Sequence, residues 1–347
     1  MMIKKMIQVS LFLSLLLFKN VMLGQNLSTK KSTRVSAHFE DGDRIFLNLP
    51  MKNGEDLIAF ADTGGGWNMI YPWILTEQKL SDLIRTTAFD EQEMGEGNFN
   101  YVWAKELFKK EVFYPFITES QKKTMGLPSF IVPSEQLLSA YGTNSNSTEG
   151  AFLGQYFFLR HSWVFDYPNQ TVTLNPEIDL TLQNADTQKI GLKKDDSGTP
   201  VNGHPSIMAE IEGEEIPFLF DTGATFHLSP EARERLQRKE QIGGSFIAMS
   251  VFEKWKEQHP DWEIIRGGDV VPVRGQSFAM DMIRVPEVKL GTISVGPVWF
   301  SSRPDTAWSK GMIQSMDKSV QGALGGSALK YVSITIDYPN ELIHFSN

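Results

Sequence analysis

The chain of 347 residues contains no cysteine. Disulfides and a lipid anchor on cysteine are therefore excluded, and a zinc site would have to do without thiolates. Histidine is scarce too: His38, His161, His204, His227, His259 and His344 are the whole set. None of them shows the close i,i+4 pairing of a helical zinc site, so no metal ligands are assigned. Concentrated positive charge is also missing. Lys and Arg number 33 against 42 Asp and Glu, a net charge of −9 with no basic patch, and no nucleic-acid partner is expected. The eight tryptophans are scattered and suit core packing or the lining of a cleft.

Long apolar runs are absent except near the start. Leu11–Phe18 follows Lys4 and Lys5 and precedes Gly24-Gln25, the pattern of a secretory signal peptide over residues 1–24 with cleavage near Gly24-Gln25. The run is short for a bilayer and Lys19 interrupts it, although an uncleaved anchor stays open. Export to a bacterial periplasm or the exterior is expected. An exported chain without cysteine has to be held together by packing alone.

What the sequence does have is a repeat. Asp62-Thr63-Gly64 and Asp221-Thr222-Gly223 each follow an apolar run, Leu57–Ala61 and Ile216–Phe220. One such triplet is ordinary turn chemistry, but further matches follow each copy, a long-range self-similarity. Gly150-Ala151-Phe152-Leu153-Gly154 answers Gly322-Ala323-Leu324-Gly325, and Asp166-Tyr167-Pro168-Asn169 answers Asp337-Tyr338-Pro339-Asn340. The second glycine-bearing element could be mistaken for a phosphate-cradling loop, but it lacks the lysine and the strand–loop–helix context. The segments after the triplets also line up, Trp67–Pro72 with Phe226–Pro230, each leading into a helix with Pro at its first position; Ser229 is a good N-cap. Two carboxylates held close together cannot both ionise easily, so they share a proton and divide the roles of base and acid. Such a pair can activate water against a peptide bond.

On these motifs the chain resembles aspartic peptidases of the pepsin and retropepsin superfamily with both lobes on one chain, and its second half is similar to bacterial retropepsin-like domains. The resemblance covers nearly all of the chain after the signal segment. It implies an all-β, bilobal pepsin-like acid-protease fold, two pseudo-symmetric β-barrel-like lobes with a few short helices, over residues 25–190 and 191–347. It implies Asp62 and Asp221 as the catalytic pair, Thr63 and Thr222 locking the two loops together, and Gly64 and Gly223 turning tightly at positive φ; Thr225 completes the second loop. A peptide or protein substrate bound across the cleft is implied, with bulky apolar side chains preferred on both sides of the scissile bond. So are a monomer and no cofactor, because the carboxylates and water suffice. Flap candidates are the glycine-bearing stretches around Gly95 and Gly97 and around Gly275 and Gln276. Neither carries the tyrosine typical of the family. Residues 25–43 are too short and mixed for the long basic inhibitory pro-segment of pepsin zymogens.

Length and pattern agree: 347 residues suit two lobes better than one core, with half-buried strands at Arg44–Leu49, Ile207–Ile211 and Val285–Leu290, helices at 231–236 and 250–258, and a polar link around 193–198. The first active loop departs from the family pattern. Gly65-Gly66 stands where a hydroxyl residue commonly follows the triplet, and Ala224 stands there in the second. A hydroxyl donating to an aspartate favours its charged form, so this pair should be less acidic and work at mildly acidic to near-neutral pH. His227, beside the second loop, fits packing or the surface better than catalysis. Two alternatives to a secreted endopeptidase stay open: a catalytically inactive peptide- or protein-binding member of the fold, and a tandem of two units that each pair with another molecule.

Overall fold

The computed structural model describes residues 32–88, 98–109, 129–140, 143–145, 147–177, 180, 184–273 and 275–347. Residues 1–24, expected to form a signal peptide, and the flap candidates Gly95 and Gly97 lie outside the described residues. Strands dominate, in sheets of six, eight, nine and two, and the architecture is the expected all-β one with a few short helices. The eight-stranded sheet is built from the first half of the chain and the nine-stranded sheet from the second.

The six-stranded sheet draws on both halves. Its central pair is Ser162–Asp166 against Ser333–Asp337, antiparallel. Ser162 faces Asp337, Asp166 faces Ser333, and the pseudo-twofold passes through the Val164–Thr335 pair. Each strand turns back through its Asp-Tyr-Pro-Asn motif into a partner, Thr171–Leu174 or Leu342–Ser346. The motif is an Asx-type turn. Asn169 donates its N–H and its side-chain amide to Asp166, at 3.2 and 2.9 Å, and Asn340 repeats both bonds to Asp337, at 3.2 and 2.7 Å.

The inward face of this sheet is aromatic. Trp163 stacks on Phe165 at 6.2 Å between ring centroids, and Phe165 meets Phe220, the residue before Asp221, at 6.4 Å. All three rings are fully buried. Each such ring contributes about 2–3 kcal/mol of apolar burial. One hydrophobic core therefore runs from the first half under the loop of the second.

The strands expected at Arg44–Leu49 and Ile207–Ile211 are present as Arg44–Pro50 and Ser206–Ile211. The third divides: Gln276–Val285 ends and Val288–Leu290 begins on either side of Pro286, which has no N–H to give a ladder. Helices Pro230–Leu236 and Met249–Gln258 match expectation. Ser229 caps the first of them, its hydroxyl accepting from Ala232 N–H at 3.2 Å. The polar stretch near residue 195 is a turn in which the Asp195 carboxylate accepts the Ser197 and Thr199 N–H groups.

Candidate active site

Both triplets stand where a strand ends beside a threaded partner. In the first half, Asp56–Ala61 runs parallel to Ala151–Leu153, which pairs on its other edge, antiparallel, with Met69–Ile70. In the second half Glu214–Phe220 runs parallel to Gly322–Leu324, whose other edge pairs antiparallel with Phe246–Ala248. Each loop is thus pinned by the apolar-apolar-Gly element passing between its two arms. Asp62 N–H donates to Leu153 O at 2.9 Å and Asp221 N–H to Leu324 O at 3.0 Å.

This pairing corrects the alignment of the loops. The counterpart of Met69–Ile70 is Phe246–Ala248, not Phe226–Leu228; Thr225–His227 instead pairs with Gln241–Gly243 in a separate two-stranded sheet that carries helix Pro230–Leu236 between its strands. A proline-started helix is a local signal that many loops satisfy, so it matched the wrong segment. The corrected register brings out two polar residues that play the same part. Asn68 Oδ1 accepts Gly154 N–H at 3.0 Å, and Ser245 Oγ accepts Gly325 N–H at 3.0 Å. Both are buried.

Across the interface the threonines interlock. Thr63 N–H donates to Thr222 Oγ1 at 3.1 Å and Thr222 N–H to Thr63 Oγ1 at 3.0 Å. Each hydroxyl then donates to a carbonyl before the opposite aspartate: Thr63 to Phe220 O at 3.0 Å, Thr222 to Ala61 O at 2.8 Å. Four buried hydrogen bonds fix the two carboxyls relative to each other.

Gly64 and Gly223 are needed, but for a reason other than the expected one. Neither takes positive φ. Instead each lies against the opposite carboxyl; a Cβ on Gly64 would sit 2.4 Å from Asp221 Cγ. The requirement is close approach rather than backbone handedness.

The carboxyls of Asp62 and Asp221 face one another at hydrogen-bonding range. Burial, then the Asp221 charge, then the shared hydrogen bond push the Asp62 carboxyl well above the usual range. Burial raises Asp221 as well, but the hydrogen bond from Asp62 and the N–H groups of Gly223, Ala224 and Gly64 oppose it. Gly223 N–H donates to Asp221 Oδ1 at 3.0 Å, while Asp62 Oδ1 has no protein partner among the described residues. Both carboxyls are raised, and the pair holds one proton between them. Thr225 does not reach its aspartate: its hydroxyl donates to Gly223 O at 2.9 Å. The raised carboxyls agree with the absence of hydroxyls at Gly65 and Ala224.

Gly275, at φ +76°, turns the tip of the long hairpin Ile264–Val273/Gln276–Val285, and Gln276 closes it opposite Val273. Residues 276–279 are exposed. Midway along this hairpin, fully buried Asp269 joins it to the second loop, accepting His227 N–H at 2.8 Å and the Arg303 guanidinium at 2.7 Å. His227 is half-buried and burial lowers its imidazole pKa. Buried Asp43, from the first half, reaches across to accept Gly243 N–H at 2.8 Å and Arg238 at 2.6 Å. Asn68, Ser245, Asp43 and Asp269 carry no motif, and nothing in their spacing marks them.

No family model matches the sequence and no curated protein matches it. Among solved structures, the crystal structure of Basic 7S globulin from soybean is similar at 8% sequence identity and a TM-score of 0.44, over 91% of this chain and 94% of that chain.

Proposed function

We propose that this chain is an exported aspartic endopeptidase. The observation that carries the reading is the facing carboxyl pair of Asp62 and Asp221, both raised and fixed by the interlocked threonines. Ionised Asp221 takes a proton from a water as its oxygen attacks the scissile carbonyl. Asp62 gives its proton to the carbonyl oxygen, leaving a tetrahedral diol. The carboxyl proton taken from the water then passes to the amide nitrogen and the C–N bond breaks. A diol hydroxyl gives its proton to the other carboxylate as the new carboxyl group forms, so the dyad regains its one proton and its starting charge. No metal or organic cofactor enters these steps. The substrate is an extended peptide lying across both loops, and one chain supplies the whole dyad, which supports action as a monomer.

Buried carboxyls raised above their usual range suit mildly acidic to near-neutral conditions rather than strong acid. The test is cleavage of a diverse peptide library by the mature chain between about pH 3 and 8. Cleavage with a maximum at mildly acidic to near-neutral pH is expected; a maximum below about pH 3 contradicts the reading. A second reading is a binding protein of the same fold, which the hydroxyl-free Gly65-Gly66 loop favours. Retention of library peptides without cleavage at any pH would establish that reading instead.

A further inference from the structure

His204 precedes strand Ser206–Ile211 in the second half of the chain, yet its ring reaches the first active loop. Nε2 lies 3.1 Å from Gly65 O. That carbonyl also accepts Gln155 N–H at 3.1 Å, and Gln155 Oε1 accepts Gly203 N–H beside the histidine. His204 is 6% exposed and its Nδ1 has no partner among the described residues. A carbonyl only accepts, so Nε2 must carry the hydrogen. Nδ1 is then a bare lone pair in a buried place.

The contact answers a gap in the first loop. In the second loop the Thr225 hydroxyl ties back to Gly223 O at 2.9 Å. The residue at the matching place in the first loop is Gly66, which has no side chain to tie back to Gly64 O, the counterpart of Gly223 O; His204 holds the next carbonyl, Gly65 O, instead. We propose that His204 is a positioning residue for the Asp62 loop, supplying from the opposite half the donor that Gly65-Gly66 lacks, and that it does so only as the neutral Nε2–H tautomer. The proposal rests on the peptidase reading for its effect on rate, though not for the contact itself.

Protonation would put a second N–H on Nδ1, buried and with nothing to receive it. The ring would have to leave its place, and the loop would lose its tie. Burial opposes protonation, and only the backbone of Gly65 and Gly64 favours it; no carboxylate or cation among the described residues acts on the ring. The neighbouring element Gln155–Phe158 presents an uncharged amide and the Tyr156 phenol, whose hydroxyl meets Asn202. The acid limb of activity therefore includes loss of this tie, separate from titration of the dyad.

The experiment has two arms on the full mature chain. In the first, nitrogen NMR reads the His204 tautomer, and the Gly64, Gly65 and Gly66 amide shifts are compared between wild type and His204→Leu. The Nε2–H tautomer and displaced glycine amides are expected; the Nδ1–H tautomer, or unmoved amides, overturns the proposal. In the second arm, His204→Gln keeps an N–H donor that does not titrate and should match wild type near neutral pH while extending activity further into acid. His204→Leu should lower kcat by on the order of tenfold to a hundredfold with KM little changed. An acid limb identical in His204→Gln and wild type overturns the proposal. If wild type cleaves nothing, the peptidase reading fails and the NMR arm alone decides whether His204 positions the loop.

Discussion

Gly223 lies directly against Asp62: a Cβ added to it would come within 2.1 Å of the Asp62 Cγ. With Gly64 against Asp221 in the same way, each loop admits the other's carboxyl only because a side chain is missing. Gly223→Ala and Gly64→Ala should therefore force the two loops apart. Overpacking of this kind costs about 1–3 kcal/mol, and cleavage should fall by far more than stability does. Urea denaturation beside a peptide-cleavage assay reads both; wild-type turnover in either variant contradicts the close approach.

The threonine interlock gives a second pair of variants. Thr63→Val keeps the shape but removes the hydroxyl that serves Thr222 N–H and Phe220 O, leaving two buried groups without partners. Each such group costs about 1–3 kcal/mol. Thr63→Ser should recover most of the loss, because the hydroxyl and not the methyl makes the bonds. A Ser variant as unstable as Val would mean that packing, rather than hydrogen bonding, holds the loops.

Stability and activity should move in opposite directions at Asp62. Its folded carboxyl is raised above the unfolded value of about 3.9. Stability tied to this group is thus fully present below that value and is lost as pH rises through the folded pKa. Asn cannot ionise and escapes the loss. Asp62→Asn should be inactive yet melt no lower than wild type at neutral pH, with its relative advantage shrinking toward pH 4. A variant that melts clearly below wild type at neutral pH refutes the raised carboxyl.

The register that pairs Asn68 with Ser245 predicts matched effects from unlike residues. Asn68→Ala and Ser245→Ala each strand a buried N–H, of Gly154 and Gly325 respectively. Each should cost about 1–3 kcal/mol and loosen the loop nearest to it. Hydrogen exchange at those two amides checks this: faster exchange at Gly154 in the first variant and at Gly325 in the second.

Much of this was readable in the sequence wherever geometry demands one residue type. The paired triplets, the glycines of the threading elements and the Asp-Tyr-Pro-Asn turns all occupy places where few side chains serve. They located the two facing aspartates, the threonine interlock and the two closing hairpins. The generic positions stayed hidden. A buried serine or asparagine accepting one N–H looks like any other, so Asn68 and Ser245 went unseen. Asp43 and His204 act on residues from the other half of the chain, which spacing cannot reveal. The proline-led helix at Pro230 misled because a cap reports on its own turn and not on tertiary place. Gly64 and Gly223 were rightly singled out, but their reason lies across the interface.

The most direct measurement compares cleavage of one good peptide substrate by wild type, Asp62→Asn, Asp221→Asn and the double variant. If one proton is shared by one dyad, each single change removes activity to the level of the double, since groups acting as a unit are not additive. Near-wild-type turnover in either single variant would show that the two aspartates do not work as a pair.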